Sequence, residues 1–206
     1  MFKSQRKIFL QENAESIFLA AYAAELREWD NRAHLKRIRD YSFTLCLALD
    51  IPRPEAEQIS LSCLLHDIGK SATPEELLTR QGQYEEQEWK LMERHTLDGE
   101  EMLRDATSSI LRMGASIAAT HHERWDGSGY PHGLSGDSIP LPGQVCAIAD
   151  VFDALTTLRS YKKPLDIDHA YDLIQRSSGS LFNPQIVQAF VTAFPDLLRI
   201  KNSSAD

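Results

Sequence analysis

Residues 59–70 read ISLSCLLHDIGK, an apolar run that ends on a histidine, an aspartate and a glycine. Ile59, Cys63 and Leu64 recur at the spacing of one helical face. The stretch therefore predicts a helix that begins after Pro52 and Pro54 and ends near Gly69. The same periodicity extends in both directions. Upstream it predicts helices over 5–28 and 33–49. Downstream, Thr73-Pro74-Glu75-Glu76 reads as an N-cap, a proline at the first helical position and acids in the first turn. Helices are predicted near 85–95, 97–104, 107–122, 143–158 and 168–176, and again after Asn183-Pro184. No convincing alternating run suggests a strand, so the fold class is all-α.

One stretch breaks the pattern. Residues 123–142, ERWDGSGYPHGLSGDSIPLP, hold four of the ten glycines and three of the nine prolines. A structureless loop this long in a compact helical domain is usually functional.

The chain has 206 residues, 42% hydrophobic and 25% charged, which fits one domain with a proper core and excludes general disorder. Apolar stretches such as Ile17 to Ala24 fall far below the ~18 residues that span a bilayer. The N-terminus, MFKSQRKIFLQENAES, lacks the apolar core and cleavage site of a secretory signal, so the expected compartment is the cytoplasm, with no membrane partner. A net charge of −8 draws in neither bulk nucleic acid nor anionic lipid. An anionic substrate would need local attraction from bound metal or a few placed cations. Cys46, Cys63 and Cys146 are far apart among apolar neighbours and read as buried thiols rather than a disulfide or thiolate-metal framework.

The histidines and a few acids carry the candidate chemistry. Adjacent side chains diverge by about 100° in mid-helix. At a helix end before a glycine, His66 and Asp67 can both face one cavity, with Asp67 offering one oxygen to each of two cations. The same residues also suit a plain helix C-terminus capped by Gly69. His121-His122 stands where a helix meets the long loop and reads as paired imidazole ligands or as a polar cap. His34 and His95 begin and end helices, and each alone also suits a surface position. Asp150 interrupts the apolar run VCAIADVF, where a carboxylate is costly unless it is paired or metal-bound. Asp153, three residues on, reads alternatively as an anchor for a neighbouring helix. The whole set, His34, His66, Asp67, His95, His121, His122 and Asp150, offers nitrogen and oxygen only. Such donors suit iron, manganese, cobalt, nickel or zinc and the two-metal logic of phosphoester hydrolysis.

The motifs HDIGK (66–70), HHERWDGSGYP (121–131), IADVFDALT (148–156) and RSYKK (159–163) resemble the HD-GYP subgroup of the HD phosphohydrolase superfamily. The resemblance covers about Arg32 to Phe190. It implies a compact multi-helix HD bundle and a phosphodiesterase that opens cyclic di-GMP to pGpG, often continuing to GMP, by a metal-bridging hydroxide. It also implies two divalent ions, iron or manganese foremost, with zinc, nickel or cobalt as alternatives. His34, His66, Asp67 and Asp150 match the ligands of one ion; Asp67, His95, His121 and His122 match those of the other. Lys70 matches the lysine near the scissile phosphate. Arg159 and Lys162 match basic residues that hold substrate phosphates. Gly129, Tyr130 and Pro131 belong to the signature loop beside the site and are assigned to substrate binding, where Tyr130 or Trp125 could stack on a guanine or simply pin the loop down; the loop is also linked to contacts with diguanylate cyclase (GGDEF) domains.

The chain departs from the family in three places. Asp30, a shorter carboxylate, stands where some relatives use a glutamate to hold a third metal, a poor match for a third ion. The family's DRPYRKA segment reads LRSYKKPL (158–165), which leaves room for a shifted substrate preference. Relatives usually carry a receiver or other sensory domain upstream, whereas this chain offers about 30 residues. The expected organisation is an N-terminal helix over 1–30, an HD-GYP domain over 31–200 and a polar tail over 201–206. The apolar side chains of that first helix are expected to bury against the domain or a second subunit in a homodimer. Two functional alternatives remain open here: a hydrolase of another cyclic dinucleotide or nucleotide phosphoester, and a non-catalytic signalling module that uses the GYP loop.

Overall fold

A computed structural model describes residues 14–26, 31–80, 82–158 and 164–203. Residues 14–24 form helix α1. It is followed by α2 (Asn31–Ala48), α3 (Arg53–Cys63), α4 (Glu75–Leu78), α5 (Glu86–Glu93), α6 (His95–Leu103), α7 (Ser109–Thr120), α8 (Leu141–Thr156), α9 (Ile167–Arg176) and α10 (Pro184–Ser203). Two short 3-10 turns, Ile68–Ala72 and Gly136–Ser138, complete the set. Among the described residues an isolated bridge between Ser178 and Phe182 stands in place of any strand. The all-α expectation holds. None of the described helices is long and apolar enough to cross a membrane.

Among the described residues the apolar faces close around two clusters. The larger joins α2, α3, α7, α8 and α10, with Tyr41, Phe152 and Phe190 among its largest buried side chains. Tyr41 and Phe190 both meet Phe152 edge-on, at 5.2 and 5.3 Å. The smaller gathers Ile17 and Ala21 of α1 with Leu35, Leu64 and Leu65. Ile17, Ala21 and Ala24 lie on one helical face, so α1 buries that face against the domain. Phe18 and Tyr22 pack against the same cluster, with the Arg32 guanidinium 5.9 Å from the Phe18 and 5.8 Å from the Tyr22 ring centroid. The predicted start of this helix at residue 5 lies outside the described residues.

Three local expectations need correction. Helix α3 stops at Cys63 rather than near Gly69. From Leu64 onward the amides bond three residues back, Leu64 to Leu61, Leu65 to Ser62 and His66 to Cys63. This tightening turns His66 and Asp67 toward the same side, a placement that straight α-helix would deny them. Thr73 is not a side-chain cap; Pro74 takes the cap position before the four-residue α4. The long loop after His122 is ordered by a dense set of hydrogen bonds, as described below. All three cysteines are buried and free, as their surroundings suggest.

Gly69 sets how closely the turn after α3 can approach α6. A Cβ there would run into the carbonyl oxygen of His95 and the amide nitrogen of Gly99. Glycine is needed here for close backbone approach rather than for a helix cap. Gly69→Ala is expected to cost about 2 to 3 kcal/mol in urea unfolding, the range of overpacking in a site that cannot relax. An unchanged midpoint would mean that α6 is free to move away.

Candidate metal centre

Six segments bring the cluster together. Glu25 follows α1, His34 lies in the first turn of α2, and His66, Asp67 and Lys70 occupy the turn after α3. His95 begins α6, His121 and His122 follow α7, and Asp150 and Asp153 lie one turn apart on α8. Asp67 is the centre, only 7% exposed. One of its oxygens faces His66 Nε2 at 3.2 Å and Lys70 Nζ at 2.7 Å. The other faces His95 Nε2 at 3.3 Å and His121 Nε2 at 3.7 Å.

The orientation of these imidazoles is set by the backbone. His66 Nδ1–H donates to the Cys63 carbonyl at 2.9 Å, and His95 Nδ1–H to Met92 at 2.6 Å. His121 Nδ1–H is shared between the Ile117 and Ala118 carbonyls, at 3.1 and 3.0 Å. A carbonyl only accepts, so each Nδ1 carries a proton and each Nε2 is left to face Asp67. Among the described residues the Nε2 atoms of His66, His95 and His121 and Oδ1 of Asp67 are buried without a hydrogen-bond partner. Buried polar atoms are rarely left so, and several converging on one point ask for an ion.

Among the described residues, two sets have donor atoms within 4.8 Å of one another: Asp67, His95, His121 and His122, and Glu25, His34 and His66. The first is the second-ion set that the resemblance implies. The other expected set, His34, His66, Asp67 and Asp150, is brought together more loosely. His34 Nε2 lies 4.0 Å from Asp150 Oδ1, and Glu25 enters as an additional carboxylate. Glu25 escaped the reading of the sequence. Its signal is an acid at the same four-residue spacing as Ile17 and Ala21, one residue past the end of α1. Asp30, Arg159 and Lys162 lie outside the described residues.

The electrostatics follow from burial against these charges. Burial opposes ionisation of Asp67, but the Lys70 ammonium and then His66 hold its carboxyl well below the usual range. Burial and then the charge of His66 push His121 down to about 3, and His122 is also driven well down by burial and His121. Both imidazoles therefore stay neutral, the form that ligates metal. His66 is disfavoured as a cation by burial, yet Asp67, Asp150 and Glu25 raise it to about 10. Burial pushes the Glu25 carboxyl up to about 7. This side of the cluster calls for positive charge, which a divalent ion supplies in place of a proton.

Asp153 supports the centre from behind. It is buried, accepts from His34 Nδ1 at 2.7 Å, and pairs with Arg37 Nε at 2.5 Å and a terminal Arg37 nitrogen at 3.1 Å. It thereby anchors α2 to α8 and fixes His34 with Nε2 toward Asp150, the arrangement seen behind many ligating histidines. Burial notwithstanding, its bonds to His34 and Arg37 bring its carboxyl down to about 2.

The GYP loop is built on Glu123, a residue the sequence reading left without a role. Its buried carboxylate accepts from the His132 and Leu134 amides at 2.7 and 2.9 Å. Trp125 and Asp126 donate their amides to Leu181 and Ser180, and Tyr130 donates its amide to His122. A Cβ on Gly129 would meet the backbone of His122, Glu123 and Arg124, so only glycine lets the loop fold back so closely. The Tyr130–Pro131 bond is cis. The Tyr130 ring lies stacked on His122, 4.7 Å between centroids. Gly129 thus shapes the loop, and Tyr130 borders the cluster.

A buried helical cluster of histidine and aspartate built around an adjacent His-Asp pair defines a class. The family model described as HD domain matches residues 9–186, and the chain belongs to the HD-domain family. It is 36% identical over 196 residues to the 3'3'-cGAMP-specific phosphodiesterase 2 of Vibrio cholerae, covering 95% of this chain and 38% of that protein. It is 35% identical over 200 residues to a cyclic di-GMP phosphodiesterase of Thermotoga maritima, covering 91% of this chain and 54% of the relative. The fold matches the solved structure of a cyclic GMP-AMP specific phosphodiesterase of V. cholerae with a TM-score of 0.68 and 21% identity, covering 96% of this chain and 51% of that one. The chain thus spans well under two thirds of the length of these relatives.

Replacing Asp153 with alanine would leave Arg37 and His34 buried beside a lost charge. Asp153→Ala is expected to lower stability by about 3 to 5 kcal/mol in chemical denaturation, with Asp153→Asn losing less. A loss below about 1 kcal/mol, the range of an exposed pair, would contradict its anchoring role.

Proposed function

We propose that the chain is a metal-dependent phosphodiesterase that hydrolyses cyclic di-GMP to pGpG, with GMP as a further product. One observation carries the reading: buried Nε2 atoms, each fixed by a backbone-bonded Nδ1–H, converge on the two oxygens of Asp67. The names of its relatives support the substrate class.

In this reading Asp67 would help to hold two divalent ions. His34, His66 and Asp150 would hold one, with Glu25 beside them, and His95, His121 and His122 would hold the other. Nitrogen and oxygen donors without sulfur suit iron or manganese first, and zinc, cobalt or nickel as well. Such ions supply an activated water and neutralise charge on the phosphoryl oxygens. The chain's own groups do the rest. Lys70, 2.7 Å from Asp67, faces the same space and steadies the negative charge that develops as the 3′ oxygen leaves. Asp153 keeps His34 in its ligating orientation. Gly129 and Pro131 hold Tyr130 over His122, so that its ring walls the site on that side. Burial raises the Tyr130 phenol, which stays protonated and able to donate a hydrogen bond. Arg159 and Lys162 are assigned to the substrate phosphates. The domain is proposed to span 31–200, with α10 running on to Ser203, and the preceding segment to act as its cap, contributing Glu25 to the site.

A second reading has a specific motive, since one relative is named for 3'3'-cGAMP and the LRSYKKPL segment departs from the family. Both cyclic dinucleotides should therefore be tested at equal metal loading. The proposal expects the higher kcat/KM on cyclic di-GMP, with linear pGpG as first product. A tenfold preference for 3'3'-cGAMP would replace it with the second reading. Absence of turnover on either, in protein that still binds a cyclase domain through residues 127–131, would favour the interaction module instead. Within the leading account, Lys70→Ala should cut kcat by about 10²- to 10³-fold while metal content stays unchanged. Loss of metal in that variant would reassign Lys70 to holding the centre together.

A further inference from the structure

Helix α5 has none of its residues buried, yet it carries a tryptophan that is 46% exposed. An indole on such a helix is not core packing, and its surroundings are ordered. The Trp89 ring lies edge-on to Tyr130, 6.4 Å between centroids and 78° between planes. Tyr84 is a second ring neighbour, at 6.0 Å and 43°. Tyr84 is pinned by its hydroxyl, which donates to the Leu77 carbonyl at 2.9 Å. Tyr130 in turn stacks on His122 at 4.7 Å and 28°. A run of aromatic rings therefore leads outward from the metal cluster along His122, Tyr130 and Trp89, and ends on an indole open to solvent.

The platform is fixed relative to the centre. The side chains of Glu85 and Glu88 form a reciprocal capping box that holds the start of α5. At its other end, the Met92 carbonyl accepts from His95 Nδ1 at 2.6 Å, so the helix that bears Trp89 also orients a cluster histidine. Trp89 and Met92 lie one turn apart. An indole that is about half exposed and ordered by its neighbours spends little conformational entropy on binding a flat apolar group.

We infer that Trp89, backed by Tyr130, is the stacking platform for a purine base of the cyclic dinucleotide, an inference that rests on the diesterase reading above. The substrate carries its charge on phosphates and its flat surface on bases. The cluster and Lys70 answer the first, and among the described residues bordering Tyr130 an exposed indole answers the second. Stacking on an aromatic side chain is tolerant of base identity. The platform therefore adds affinity to both guanine and adenine dinucleotides and does not choose between them.

The test compares wild type, Trp89→Ala and Trp89→Phe as metal-loaded full chain. Steady-state KM and kcat are measured on cyclic di-GMP, together with Kd by equilibrium dialysis and inhibition by inorganic phosphate, which has no base. Trp89→Ala should raise KM and Kd by about 5- to 100-fold, with kcat within a few fold and phosphate inhibition unchanged. Trp89→Phe should restore most of the affinity. Unchanged KM and Kd in Trp89→Ala would overturn the inference. So would a fall in kcat with a matching change in phosphate inhibition, because Trp89 would then be propping the loop. Wild-type protein that neither binds nor hydrolyses any cyclic dinucleotide would overturn the diesterase reading and the inference with it. Wild-type activity with unaffected Trp89→Ala would overturn the inference alone.

Discussion

A carboxylate buried at the meeting point of helix ends is the constraint around which this chain is organised. Taking Asp67 out of water costs several kcal/mol unless charges and hydrogen-bond donors return that energy. Lys70 at 2.7 Å, with His66 and His95 close behind, provides part of it. The imidazoles are in turn held by carbonyls at or near the ends of α3, α5 and α7, each of which accepts a ring N–H beside a backbone amide. The same carbonyls that terminate three helices thus set the tautomers of three histidines. Helix ends and site are one structure, and a shift in any of those helices would turn a ring away from Asp67.

Support is layered outward from that point. Asp153 ties α2 to α8 through Arg37 and fixes His34. Gly69 lets the turn that bears Asp67 lie directly on the first residue of α6. Glu123 gathers the amides of the long loop, which returns Tyr130 over His122. Cys63 belongs to the larger apolar cluster and Leu64 and Leu65 to the smaller, so the residues immediately before His66 and Asp67 are anchored in both. Helix α5, with no buried residue, is held by its cap and its link to His95 instead of by a core.

Much of this was legible in the sequence. Helical periodicity placed α2 and α6 to α10 within a few residues, because each has an apolar face to bury. The histidines that meet at Asp67 were picked out by residue type and by their positions at helix ends. Other features depended on three-dimensional context. The stop of α3 at Cys63 has no breaker residue; it follows from the tighter turn that packing imposes on Leu64 to His66. Glu25 is remote in sequence from every motif and becomes part of the cluster only because α1 folds back over α2 and α3. Glu123 looked like one charge among several in a polar loop, since its partners are backbone amides, which carry no signature in residue type. A helix cap is one of the uses the sequence offers for Gly69, and its use in close approach depends on where α6 runs.

The central claim is that Asp67 joins two cation positions. The most direct measurement is metal content per chain after anaerobic purification, wild type beside Asp67→Ala, with helical content followed by circular dichroism. The account predicts about two ions per wild-type chain and a marked loss at both positions in a variant that keeps its helices. A full metal complement in Asp67→Ala, or none in wild type after reloading with ferrous iron or manganese, would contradict it.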